Sequence, residues 1–514
     1  MKRRAWRVAA VVLAAIVLFA CYWRQSLTFD GSSDGASVAL QAWDMLHGNV
    51  LLHGWQLSDV SFYTTEVPQY LLIEAVSGLG PWVLHVAPAM TYTLLVLLAA
   101  VVARGEARGG EGLTRALLAA GIIVAPELGY IPVTTLLEAP DHTGSAVPVL
   151  AMWLVTDRCR RPGRYWIAPV AACLILGLSY TADSIVLLTG IVPLFAACAF
   201  RLLRNRAVPR WYELSLGCAS GVALGLGLAV QWAVRQLGGY QREPIATNVI
   251  AMRQLAHGAM VTGVDLLKLF GADVANAPTG APTAFAILHL AGLGLAAWAF
   301  CAGLWQFLRG GDLVVGGLTV GIVVSLAAYL FTGHGQHAGD MREMVAVLPF
   351  GAALTGRVLG SPLLAAVRTR AGVVLIPVLS IVAIGYLAAL GYAAAQPPHP
   401  VPDQALAGWL EARGMTEGLG GYWQSNIITV DSGGRVRVSC AWGGNGAFVP
   451  CGWETRAADY DPLTRRATFY VLGAGSSQAA VERAFGRPRR VYHVDGYTVL
   501  VWDANLLLRL GPAT

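Results

Sequence analysis

Hydrophobic positions along this chain gather into long unbroken runs instead of alternating with polar ones. Apolar runs of about 20 residues, the length that crosses a bilayer as a helix, centre near Ala14, Leu95, Ile122, Leu150, Leu174, Pro193, Leu224, Leu293, Val320, Val347 and Leu379. Eleven spans are therefore expected before residue 395. The segment between the first two runs is of another kind. From Asp34 to Leu46 the residues Val38, Ala39, Ala42, Met45 and Leu46 recur at helical spacing, which predicts an interfacial helix. Asp34 falls at or near its start, where an aspartate suits the N-cap; Asp30 then decorates a turn.

Past the last run the pattern changes. Residues 395–402 form a stiff Pro-rich linker containing Pro397, Pro398, Pro400 and Pro402. Residues 403–514 then read as a soluble domain. Strands are expected over 426–432 and 435–441 around Gly433-Gly434, and over 490–494 and 497–502 around the hairpin signal Asp495-Gly496. Helices are expected over 404–413 and 478–485. The fold class implied is an all-α polytopic membrane domain over residues 1–394, followed by a small extracytoplasmic α+β domain.

Composition and charge sharpen this picture. The 514 residues are 56% hydrophobic and 13% charged, with mean hydropathy +0.56, against about 25% charged in ordinary soluble domains. The net charge of +6 does not point to nucleic acid, because the arginines alternate between loops. With the N-terminus in the cytoplasm, Lys2, Arg3, Arg4, Arg7 and the clusters around Arg104, Arg158, Arg161, Arg201, Arg206, Arg309 and Arg357 all fall on the inner side. The outer loops before the tail hold only Arg24, Arg235, Arg242, Arg253, Lys268 and Arg342. The basic start and aromatic exit Tyr22-Trp23 read as an uncleaved signal anchor. An odd number of spans places the tail outside, where Cys440 and Cys451 can form a disulfide. The Gly and Ala richness, with lysine only at Lys2 and Lys268, suggests a bacterial plasma membrane protein.

Ionisable groups near a bilayer cost roughly 2.5–3.5 kcal/mol at mid-membrane, so those on the outer side are informative. The first outer loop, residues 24–82, carries Asp30, Asp34, Asp44, Asp59, Glu66 and Glu74. The second brings Glu138, Asp141 and His142 within five residues, a set able to act as base or metal ligands, or simply to cap a helix at His142. The third holds Tyr180 and Asp183. A long loop over 236–282 offers Arg242, Arg253, His257 and Lys268. The last contains His334, His337, Asp340, Arg342 and Glu343; its arginine suits a phosphate, or an ion pair with either acid.

Asp34, then Met45-Leu46, Gly48-Asn49 and the aromatic run Phe62-Tyr63-Thr64-Thr65-Glu66-Val67-Pro68 follow one another in an order that resembles the GT-C class of membrane glycosyltransferases, of the protein O-mannosyltransferase and aminoarabinose transferase type. Asp141 takes the place of that class's second-loop acid. The chain departs from the pattern in two places: Gly35 follows Asp34 where a second acid is frequent, and no lysine follows Glu66. The resemblance implies inverting transfer of a sugar from a polyprenyl-phosphate donor to a lipid, glycan or protein acceptor at the outer membrane face. Under it Asp34 is the general base and Asp141 its partner acid. Arg342, with Lys268, Arg242 or Arg253 behind it, meets the donor phosphate. His142, Glu66, Tyr63 and Trp55 contact acceptor or sugar, as do Phe62 and Tyr70. It leaves room for a divalent cation at Asp34, Asp141 and His142. The competing readings are a transporter or flippase of a lipid-linked or small polar solute, expected to carry polar groups at mid-membrane, and a scaffold that binds through its tail.

Overall fold

The computed structural model describes residues 2–127, 129–138, 140–160, 164–204, 210–244, 249–333, 340–444 and 447–511. His334, His337, Arg161 and Arg206, and the side chains of Lys2, Arg3, Arg4 and Arg7, lie outside the described residues. Among those residues eight helices are long and apolar enough to cross a membrane: Val8–Ser26, Val83–Arg104, Leu187–Arg204, Arg210–Gln236, Ala281–Leu308, Leu313–Phe331, Asp340–Val367 and Gly372–Ala394. Three shorter helices, Gly109–Ile123, Thr143–Arg158 and Ile167–Ala182, pack among them. This is a multi-pass membrane protein.

Every expected run centre falls in a helix, but two are displaced. Ile122 lies at the end of Gly109–Ile123, and Val347 is the first residue of Val347–Val367. In both cases the sequence treats charge as a boundary and the fold absorbs it. Arg357 sits inside its helix because Asp157 Oδ1 lies 2.8 Å and Asp312 Oδ2 2.9 Å from its guanidinium. Glu111 and Arg115 pair at 2.7 Å within the short helix. Gly356 and Gly360 let these two helices touch backbone to backbone; a Cβ on Gly356 would run into the Arg115 carbonyl.

The tail is built on a six-stranded sheet. In spatial order its strands are Ala447–Pro450, Arg437–Gly444, Glu417–Gly420, Phe469–Leu472, Tyr497–Val501 and Arg490–Val494, with the second, third and fourth parallel to one another. Cys440 and Cys451 are joined in a disulfide. One expected strand is a helix instead. Residues 426–431 belong to Tyr422–Asp431, with Ser432 as its C-cap, although Ile427, Ile428, Thr429 and Val430 favour strands by themselves. Packing overrides that preference, because the helix is wedged between the sheet and the outer helix Ser33–Leu46.

That wedge ties the two halves together. Ala36, Val38, Ala39 and Ala42 of the outer helix share one apolar core with Ile427, Ile428, Val438 and Phe469 of the tail. A three-stranded patch completes the joint: Trp55–Leu57 of the first outer loop pairs with Gln241–Arg242 of the long loop on one side and Thr455–Arg456 of the tail on the other.

Candidate active site

The outer helix begins at Ser33, and its N-cap is Ser32, whose hydroxyl accepts from the Gly35 N–H at 3.1 Å. The expectation that Asp34 is the cap is therefore corrected. Ser32 already fills that role, which leaves the Asp34 carboxylate, one position into the helix, available for other partners. It accepts a hydrogen bond from the Tyr422 hydroxyl of the tail. Asp30 behaves differently: His399 Nδ1 of the Pro-rich segment lies 3.0 Å from it.

Asp34 opens into a cavity of about 460 Å³ between the membrane helices and the tail. Asp141, His142, Arg342, Glu343 and Trp453 line it together with Asp34. Acids and bases named from the first, second and last outer loops thus converge with Arg342 on one space. Its apolar side comes from Ile185, Leu187 and Leu188, where the chain turns through a π-helical segment Leu187–Ile191, a geometry that often marks functional sites.

His142 is held from both ends. Its Nδ1 lies 2.7 Å from Asp183 Oδ2, which also accepts from Ser145 Oγ at 2.6 Å, and its Nε2 lies 3.2 Å from Glu343 Oε2. Burial opposes the charged ring, but the two carboxylates win and lift His142 well above its ordinary value of 6.5. The imidazolium therefore fastens the segment Asp340–Met344 to the mouth of the Thr143–Arg158 helix. With both ring nitrogens engaged, His142 positions Glu343 and Arg342 instead of reaching freely for an acceptor.

The carboxyls around Asp34 are unusually reluctant to ionise. Burial pushes Asp141 up to about 6 against the pull of His142 and Arg342. Burial likewise brings Glu138 to about 7, opposed by the Ser32 hydroxyl and helped by the neighbouring Asp141 and Asp34. Asp141, Glu343 and Asp34 surround Arg342 with negative charge. The guanidinium stays half-exposed on the cavity side, 4.0 Å from Glu343.

The tail supplies residues that the sequence did not single out. Glu454, at φ 48°, carries its carboxylate into the joint, where Ser37 Oγ at 2.6 Å, Gln41 Nε2 at 3.0 Å and the Ser58 N–H at 2.8 Å donate to it. Burial raises it to about 7, and the Ser37 and Ser58 bonds oppose the shift. Burial and the Asp34 charge raise the Tyr422 phenol, so it stays a donor to Asp34. The sequence signal for these residues is faint: Trp453-Glu454 follows the tethered Cys451, and Tyr422 follows Gly420-Gly421.

Other expected site residues lie elsewhere. Glu66 is buried behind the cavity against Gly144, and burial raises it to about 8. The Tyr63 hydroxyl donates to the Val50 carbonyl at 2.8 Å, and its ring packs on Tyr240. Trp55 donates through its indole to Asp44 at 2.9 Å, on the far side of the outer helix. Arg242 sits in the short strand beside Leu57. Lys268 lies 3.7 Å from Asp265 and lines a separate cavity with Glu127 and Asp273. Among the described residues no group of three or more His, Cys, Asp or Glu is arranged to hold a metal ion.

No protein-family model and no curated protein sequence matches the chain. Its fold is nevertheless that of the GT-C class of membrane glycosyltransferases. ArnT from Cupriavidus metallidurans, solved bound to undecaprenyl phosphate, superposes with a TM-score of 0.57 at 12% identity, covering 99% of both chains. The archaeal oligosaccharyltransferase AglB from Archaeoglobus fulgidus, in complex with an inhibitory peptide and a dolichol-phosphate, gives a TM-score of 0.52 at 12% identity over 92% of this chain and 70% of its own.

Proposed function

We propose that this protein transfers a sugar from a polyprenyl-phosphate donor to an acceptor hydroxyl at the outer face of the membrane, with inversion at the anomeric carbon. The observation that carries the reading is the convergence of Asp34, Asp141 and Arg342 on one cavity between spans and tail. The fold it shares with ArnT, whose solved structure holds undecaprenyl phosphate, supports the choice of donor.

In this reading Asp34 takes the proton of the acceptor hydroxyl as its oxygen attacks the anomeric carbon. The bond from that carbon to the lipid phosphate breaks, and the phosphate leaves with the electron pair. Arg342 meets the charge that builds on the leaving phosphate, in a site where part of the surrounding water is displaced. Tyr422 holds one carboxylate oxygen of Asp34 and leaves the other for the acceptor. Asp141 beside Arg342 keeps the guanidinium oriented, and that help fades as Asp141 takes up a proton below about pH 6.

The test is transfer by the purified chain in lipid nanodiscs, supplied with a polyprenyl-phosphate sugar of defined anomeric configuration and a set of hydroxylated acceptors. The expected product carries the opposite anomeric configuration to the donor. A retained configuration contradicts single-step displacement, and no transfer to any acceptor rejects the reading.

A further inference from the structure

The outer helix Ser33–Leu46 has a second working face. Asp34 and Val38 look into the cavity described above, whereas Leu40, Trp43, Asp44 and His47, spaced by three and four residues, line a separate cavity of about 420 Å³ on the other side. The opposite wall comes from the tail and is dominated by Arg437, Arg456 and Arg465. Among the described residues two carboxylates, Asp44 and Asp459, line the space with these three guanidiniums.

The three guanidiniums are held in place without being used up. Arg456 Nη1 lies 2.8 Å from Asp44, and its buried Nε has no hydrogen-bond partner among the described residues. Arg437 and Arg465 reach Asp459 only at 3.8 and 3.9 Å, contacts that are weak at a partly exposed site. Arg465 is steadied by Glu417 at 2.9 Å, outside the lining. The Trp43 ring, packed on His47 with centroids 4.4 Å apart, forms a flat apolar wall beside these donors. A planar fork of N–H donors suits a carboxylate or phosphate, and an indole face suits the C–H face of a pyranose. The volume lies in the range of small-ligand sites.

We propose that this cavity binds an anionic saccharide, its carboxylate or phosphate held by Arg437 and Arg465 and a sugar face laid on Trp43. The site is separated from the catalytic cavity by the thickness of one helix, and its binding does not depend on glycosyl transfer taking place. Sharing that helix, a saccharide seated here leans on the element that carries Asp34.

Calorimetry on the full chain in nanodiscs tests this with four probes: trigalacturonate, glucose 6-phosphate, maltotriose and inorganic phosphate. The expected result is that trigalacturonate, glucose 6-phosphate or both bind about tenfold or more tighter than maltotriose and than inorganic phosphate. Arg437→Gln, a change at a partly exposed side chain, weakens that binding about tenfold, and Asp34→Asn leaves it unchanged. Which acidic probe binds more tightly tells carboxylate from phosphate recognition. Equal binding of maltotriose overturns the charge requirement, and inorganic phosphate binding as tightly as the sugars overturns the saccharide requirement. No binding of any probe, or an Arg437→Gln variant that binds like the parent, overturns the site.

Discussion

At the scale of single residues, the account turns on how burial redistributes protons. Glu66 is the clearest case, buried behind the cavity and raised from 4.5 to about 8. Between those values the folded chain keeps a proton that the unfolded chain has released, so stability falls as the pH rises from about 4.5 towards about 8. Glu66→Gln cannot lose that proton. Its thermal midpoint should decline less than the parent's between pH 5 and pH 9, with the largest gain at the alkaline end, as read by thermal unfolding in detergent; parallel curves would mean that Glu66 is ionised in the fold. Arg342 makes the complementary case. Arg342→Ala should lower kcat/KM for the lipid-phosphate donor by about 10²–10³ while the acceptor KM stays near the parent value. A loss confined to the acceptor would remove Arg342 from the leaving-group role. The sequence pointed to Arg342 through the scarcity of basic charge on the outer side, and to Asp34 and Asp141 through the resemblance to GT-C transferases. It misjudged what caps the outer helix, because Ser32 and Asp34 are equally good caps on paper and only the bond from the Gly35 N–H to the Ser32 hydroxyl separates them.

At the scale of elements, hydrophobic runs gave the helices, and buried charge explains where their boundaries moved. Arg357 lies in the middle of Val347–Val367, bonded to both oxygens of Asp157 at 2.8 and 3.0 Å and to Asp312, with the side chains of Arg357 and Asp157 buried. Asp312 also caps Leu313–Phe331 by accepting from the Val314 and Val315 N–H groups. Three helices are thus clamped at one end of the bundle, opposite the candidate site. Arg357→Ala strands two acids in this clamp and should cost about 3–5 kcal/mol of stability, read as a drop in the unfolding midpoint. A neutral Arg357→Ala would mean that the acids are hydrated and that the clamp contributes little. The tail helix Tyr422–Asp431 escaped sequence reading for the opposite reason: its β-branched run carries a strand signature, and only contact with the outer helix and the sheet decides otherwise.

At the scale of the whole molecule, the tail is a wall of the candidate site. Glu454 docks on Ser37, Gln41 and Ser58, Tyr422 reaches Asp34, and Trp453 lines the cavity. None of this was legible in the sequence, since a docked domain and a tethered one behind a Pro-rich linker have the same composition. The spans, the outer helix and the sheet-bearing character of the tail were legible, because periodicity and charge report on each segment alone. Convergence is a property of the assembled chain. The central claim is that Asp34, held by the tail at the rim of that cavity, is the base for sugar transfer. The most direct measurement is the single-turnover rate of transfer from a polyprenyl-phosphate sugar by the parent and Asp34→Asn proteins, with donor binding and unfolding midpoint measured alongside. The account predicts a rate lower by about 10²–10⁴ in Asp34→Asn with donor affinity and midpoint nearly unchanged. A variant that transfers sugar at the parent rate would contradict it.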